Sequence, residues 1–151
     1  MKHSQTIGLI VVLGILLVAA VSDTFRWIPG DTKEFCVVRA TWIARATGSV
    51  DVFTTKPING AVVRVVTNPG TPAPSDNYDI VLEDVDGADI MGGTLSDRDV
   101  SNSEQAVALI YDDGSDRVYG NPVVDGPLIM RVDNNSTGLA QGQVAIYIKR
   151  K

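Results

Sequence analysis

The sequence predicts an all-β fold: an antiparallel β-sandwich or jelly-roll-like domain over residues 34–151, preceded by one N-terminal hydrophobic helix within residues 1–33. Three features point to it. After position 34, apolar residues alternate with period two, the signature of a strand with one buried face. Gly, Pro, Asn and Asp separate these runs, and no amphipathic helical period appears among them. Before them, Ile7 to Val21 is apolar throughout apart from Gly8 and Gly14, and it follows the basic start Met1-Lys2-His3.

The apolar run of 15 residues would span roughly 22 Å as a helix, at about 1.5 Å per residue. A bilayer core needs about 20 residues. Thr6, Ser22, Phe25 and Ile28 could extend the span. The anchoring side chains would be Ile7, Leu9, Ile10, Val11, Val12, Leu13, Ile15, Leu16, Leu17 and Val18. Trp27 would sit at the interface and Arg26 would snorkel. Lys2 before the run and Asp23 after it place the N-terminus inside and the β domain outside. The same residues also read as a secretory signal, with Ala20-Val21-Ser22 as a small-x-small cleavage site. A third reading is a helix buried in an assembly. No Glu follows five residues into the run, which disfavours a type IV pilin signal.

The strands follow in order. From Phe35 to Ala46, the residues Cys36, Val38, Ala40, Trp42 and Ala44 share one apolar face. Ala61, Val63 and Val65 oppose Val62, Arg64 and Val66, giving a strand apolar on both sides. Tyr78, Ile80 and Leu82 oppose Asp79, Val81 and Glu83. Val107, Leu109 and Tyr111 line up in the same way. Leu128, Met130 and Val132 alternate with Ile129, Arg131 and Asp133. Val144, Ile146 and Ile148 alternate with Ala145, Tyr147 and Lys149. Asn59-Gly60, Asp86-Gly87, Asp113-Gly114 and Asp125-Gly126 are candidate tight turns, because these residues accept positive φ. Strands this closely spaced point to a sandwich or jelly roll.

Two long loops interrupt the pattern. Asn68 to Asp76 holds Pro69, Pro72 and Pro74 and is expected to be stiff and extended. Gly92 to Glu104 is polar and without period. Loops of such length in compact domains often make contacts.

Composition excludes several chemistries. Asp outnumbers Glu 15 to 3, a turn signature, because Asp bonds its own nearby backbone. The net charge of −5 makes a poor partner for nucleic-acid phosphates. One cysteine, Cys36, permits no internal disulfide, and its apolar face argues for an inert buried thiol. The one histidine, His3, precedes the apolar run, so His-based triads lack a base. No phosphate loop or dinucleotide fingerprint is present. Asp84, Asp86 and Asp89, and Asp112, Asp113 and Asp116, could offer oxygen ligands to Ca²⁺. Neither set fits the EF-hand spacing, and Asp in a turn is ordinary. Tyr78, Tyr111, Tyr119 and Tyr147 could form a sugar platform, although strand tyrosines usually pack. Asn134-Asn135-Ser136-Thr137 holds glycosylation sequons and also reads as a turn. Neither a cofactor nor a metal is expected.

The middle of the chain resembles a group of small virion-associated proteins encoded by tailed phages and prophages. The resemblance is carried by Val65-Val66-Thr67-Asn68-Pro69-Gly70, Ala73-Pro74, Asp76-Asn77-Tyr78-Asp79-Ile80, Leu82 and Asp84. Gly87, Asp89, Gly92-Gly93, Glu104-Gln105, Pro122-Val123, Gly126-Pro127-Leu128 and Val144 to Tyr147 continue it, with Trp42 and Gly48-Ser49 upstream. It spans residues 40–149. It implies a structural β domain of the virion, with other virion proteins as partners, rather than an enzyme. The N-terminal apolar segment departs from the pattern. It suggests seating in the host inner membrane or an internal membrane of the virion.

The expectation is a homo-oligomeric, non-enzymatic virion protein on the capsid, vertex or tail, with a lipid tether. It would bind no nucleic acid and no small-molecule substrate. Its contact loops would present Asn68, Pro69, Gly70, Pro72 and Pro74, and Leu95, Asp97, Arg98 and Asp99. The rival reading is a secreted or envelope-anchored carbohydrate-binding or adhesion module with a cleaved signal.

Overall fold

The computed structural model describes residues 26–27 and 34–151. The helix expected over residues 7–21 lies outside the described residues. The described residues form strands β1 (Arg26–Trp27), β2 (Phe35–Ile43), β3 (Phe53–Thr54), β4 (Ile58–Pro69), β5 (Asp79–Glu83) and β6 (Glu104–Ala106). They continue with β7 (Ala108–Asp112), β8 (Arg117–Gly120), β9 (Val123–Gly126), β10 (Ile129–Asp133) and β11 (Gln141–Arg150). Every pairing between these strands is antiparallel. Trp27, expected as an interfacial anchor, belongs by its backbone to β1, opposite Val38.

The larger sheet runs β1-β2-β11-β4. The far edge of β4 is shared: β9 pairs with residues 58–61, and β6 pairs with residues 65–67. The second sheet is β3-β10-β5, and β7 and β8 form a separate ribbon. The free side of β5 is lined by residues 89–98. Ile90 N–H donates to Leu82 O at 2.8 Å, Ile80 N–H to Leu95 O at 3.0 Å, and Arg98 N–H to Tyr78 O at 2.8 Å. The pairings therefore nest in sequence: β2 with β11, β3 with β10, β4 with β9, β5 with residues 89–98.

Alternation explains the core. Cys36, Val38, Ala40 and Trp42 of β2, Val144, Ile146 and Ile148 of β11, and Val62 and Val65 of β4 point to one side. Ile80 and Leu82 of β5 and Met130 and Val132 of β10 join the same buried cluster from the second sheet. Trp42 and Tyr78 meet with ring centroids 5.9 Å apart. Cys36 is buried and free, as its apolar face suggests. Thr55 is buried beside this core. Its hydroxyl accepts from Leu128 N–H at 2.8 Å and donates to Lys56 O at 2.8 Å, so the polar group is satisfied.

Three expectations need correction. First, Val63 and Val65 do not share a face. Tyr147 pairs with Arg64 but Ile148 pairs with Val62, so Val63 is the extra residue of a β-bulge. The bulge turns Val62 and Val65, two apparent opposites, both into the core. Second, Asn59-Gly60 and Asp125-Gly126 are not turns. They lie in β4 and β9 and face each other, Asn59 opposite Asp125 and Gly60 opposite Val124. Glycine is required at position 60 because a Cβ there would collide with the Lys149 carbonyl oxygen. Asp86-Gly87 and Asp113-Gly114 do turn, with Gly87 and Gly114 both at φ +82°. Third, the run over residues 107–111 is not a buried strand: Val107, Ile110 and Tyr111 are exposed.

Candidate functional site

The two loops expected to make contacts come together at one end of the domain. Asn68 and Pro69 still belong to β4, opposite Gln143 and Gly142, so the first loop begins only at Gly70. Gly70 N–H continues the ladder to Gln141 O at 2.8 Å. The Thr71–Pro72 peptide is cis, and Pro74 is buried. From the second loop, Ser103 Oγ bonds the Asn68 side chain, joining the two segments. Leu95 is 1% exposed: its side chain fills the core beneath the loop, because Leu95 O is tied to β5. Of the residues expected to face a partner, Pro72 and Asp97 are exposed or nearly so, while Asn68, Pro69, Arg98 and Asp99 are half-buried.

Asp76, Asn77, Asp97, Arg98, Asp99 and Glu104 border an open polar hollow of about 430 Å³ between these loops. Its polar groups satisfy one another. Arg98 pairs with Glu104 at 3.5 Å, Glu104 accepts from Asp99 N–H at 2.8 Å, and Asp79 accepts from Asp97 N–H at 2.8 Å. The side-chain amide of Asn102 and the N–H groups of Ser101 and Asn102 hold the Asp99 carboxyl below its usual pKa. Beneath the hollow, burial pushes the Tyr78 phenol up to about 12, so it stays a hydrogen-bonding group and not a base. Asp84 and Asp89 likewise spend their oxygens on backbone N–H groups at 2.7–3.0 Å. Among the described residues, no group of three or more His, Cys, Asp or Glu is placed to hold a metal ion. Among them, too, no helix is long and apolar enough to cross a membrane.

The four tyrosines do not form one platform. Tyr78 is buried, Tyr147 lies on the outer face of the larger sheet under Arg64, and only Tyr111 and Tyr119 are exposed together. Asn135 of the sequon stretch accepts from Ser75 N–H at 3.0 Å and donates to Gly48 O at 2.7 Å, the work of a turn residue.

Two surfaces escape the sequence reading. One is the β7–β8 ribbon. Tyr111 is 55% exposed, Ile110 56% and Tyr119 54%, with Val118 also exposed. A sequence signal exists: Leu109, Ile110 and Tyr111 are consecutive, and a strand cannot turn all three to one core. The ribbon tip is acidic. Asp112 pairs with Arg117 at 3.4 Å, whereas Asp113 accepts from Ser115 and Asp116 N–H groups. The ribbon base is fixed just before the second loop by Leu109 N–H donating to Met91 O at 3.0 Å. Gly92 faces the Leu109 carbonyl so closely that a Cβ has no room, and its φ is +61°.

The other surface is the outer face of the larger sheet. Cross-strand register sets Phe35, Lys149, Ala61 and Val123 in one row. Val37, Tyr147 and Arg64 follow in the next, then Arg39, Ala145 and Val66. The Arg64 guanidinium lies 4.2 Å from the Tyr147 ring centroid. Arg39 Nε is buried and finds no hydrogen-bond partner among the described residues.

No protein-family model matches the chain, and no curated protein matches it. Among solved structures, the chain is similar to one described as "Cyanophage Pam1 capsid asymmetric unit", at 15% identity and a TM-score of 0.43. That alignment covers 90% of this chain and 100% of the other.

Proposed function

We propose that this chain is a structural protein of a bacteriophage particle: a non-enzymatic jelly-roll domain assembling on the capsid, vertex or tail, tethered through residues 7–21. The nested strand pairing carries the reading. One long hairpin, β2–β5 returning as residues 89–98 and β9–β11, is rolled so that successive strands alternate between two sheets. That alternation supports the jelly-roll reading, and jelly rolls serve viral capsids and lectin-like domains. The residues that resemble tailed-phage virion proteins favour the first of these. Polar side chains in the loops are bonded to backbone, which suits a rigid building block better than a reaction centre. The tether would enter the host inner membrane or an internal membrane of the particle.

The test is the intact mass of the protein in purified particles and in host membrane, periplasmic and soluble fractions. The reading expects the full-length mass in particles. A chain lacking about 22 residues, the length of a signal segment, found only in periplasm or medium would replace it with the adhesion module.

A further inference from the structure

We infer that the acidic, apolar β7–β8 ribbon of one copy seats on the basic outer face of the larger sheet of a second copy. This contact rests on the structural role proposed above and deepens it by naming the partner. Both halves lie within this chain, and their charges are complementary. Among the described residues, the exposed cations Arg64 and Lys149 of the sheet face make no ion pair, although Arg45, Arg98, Arg117 and Arg131 each do. Asp113 and Asp116 at the ribbon tip are likewise outside any ion pair among the described residues. Asp125, a carboxylate at the margin of the sheet face, accepts from the Asn59 side-chain amide at 3.4 Å.

The apolar parts also correspond. The ribbon offers Ile110, Tyr111, Val118 and Tyr119, and the sheet face offers Phe35, Val123 and the half-buried Tyr147. Aromatic residues ringed by polar groups are the usual anchors of an interface. Ribbon-to-ribbon packing about a two-fold axis would set Asp113 and Asp116 against themselves, which like-charge repulsion opposes. The contact therefore joins unlike surfaces, the ribbon of one copy on the sheet face of another, either reciprocally about a two-fold axis or head to tail. A reciprocal contact closes as a dimer, and a head-to-tail one closes into a ring when the rotation permits.

The experiment uses the full chain, purified in mild detergent, with its mass followed by sedimentation after correction for the micelle. Asp113→Lys with Asp116→Lys reverses the ribbon, and Arg64→Glu with Lys149→Glu reverses the sheet face. The wild-type chain is expected to form oligomers. Each reversal should weaken them by about tenfold or more, and all four changes in one chain should restore them. Circular dichroism confirms that the variants fold. A wild-type chain that stays monomeric overturns the contact, as do oligomers indifferent to either reversal or not restored by the combination. A monomer whose sheet face binds anionic vesicles or DNA, lost with Arg64→Glu and Lys149→Glu, also overturns it and assigns that face elsewhere. A monomeric chain still recovered from particles sinks this contact alone. Absence from particles by a chain that assembles through it sinks the virion role alone.

Discussion

Single side chains hold this fold at points where two strands meet. Thr55 supplies the acceptor for the Leu128 N–H inside the core. Thr55→Val keeps the shape but leaves that donor unsatisfied, so unfolding in urea should show a loss of about 1–3 kcal/mol. An unchanged midpoint would mean that water reaches the Leu128 amide. Gly142 lies against the Trp42 indole, and a Cβ there would overlap the ring. Gly142→Ala should cost about 1–3 kcal/mol through overpacking and should disturb the Trp42–Tyr78 contact. Leu139 is the opposite case. It is exposed with φ +59°, a conformation costly for a residue with a Cβ. Leu139→Gly should raise stability by about 0.5–1 kcal/mol, part of the relief being offset by the entropy of a freer unfolded chain. A fall in melting temperature would show that the leucine side chain stabilises by packing.

At the scale of elements, the turns are stabilised by carboxylates and so respond to acid. Asp99 is held below its ordinary pKa of 3.8 first by the Asn102 side chain, then by Ser101 and Asn102 N–H groups. Asp113 is held below 3.8 first by Asp116 N–H, then by Ser115 N–H. A depressed folded pKa means that the stabilisation is complete above the unfolded value and is lost as pH falls through the folded one. The amide resonances of Ser101 and Asn102, which report Asp99, and of Ser115 and Asp116, which report Asp113, should therefore titrate with midpoints below 3.8. Titration at or above the ordinary value would show that these caps do not form in solution. The bulge at Val63 acts at the same scale. It lets β4 serve two edge partners while keeping Val62 and Val65 inside.

At the scale of all the described residues, the strand pairings nest, and the β7–β8 ribbon is inserted between β6 and β9. β6 and β9 pair side by side along one edge of β4, so the residues between them have no place in the sheet and project as the ribbon. A separation of roles is expected. Tyr111→Ser with Tyr119→Ser should change folding stability by less than about 0.5 kcal/mol, because both rings face solvent. The same pair should abolish the oligomer. A large loss of stability would make the ribbon part of the fold; an oligomer like that of the wild type would remove it from the interface.

Much of the fold is legible because alternation is a local property. Cys36, Val38, Ala40 and Trp42, Ile80 and Leu82, and Val144, Ile146 and Ile148 are inward as their period predicts. Asp86-Gly87 and Asp113-Gly114 turn because their φ demand is local too. Asn59-Gly60 and Asp125-Gly126 carry the same residue chemistry, yet they lie in strands, because β4 and β9 pair there, Asn59 facing Asp125 across 66 positions of sequence. Leu95, expected at the surface, is core, and Tyr111, expected in the core, is surface, since exposure depends on which neighbours cover a strand. Local chemistry is therefore enough for the class of fold, most inward faces, the burial of Cys36 and the lack of a histidine base after residue 3. The bulge, the nested pairing, the exposed ribbon and the cations of the sheet face came with the folded molecule alone, because each depends on register between distant segments, which no local pattern encodes.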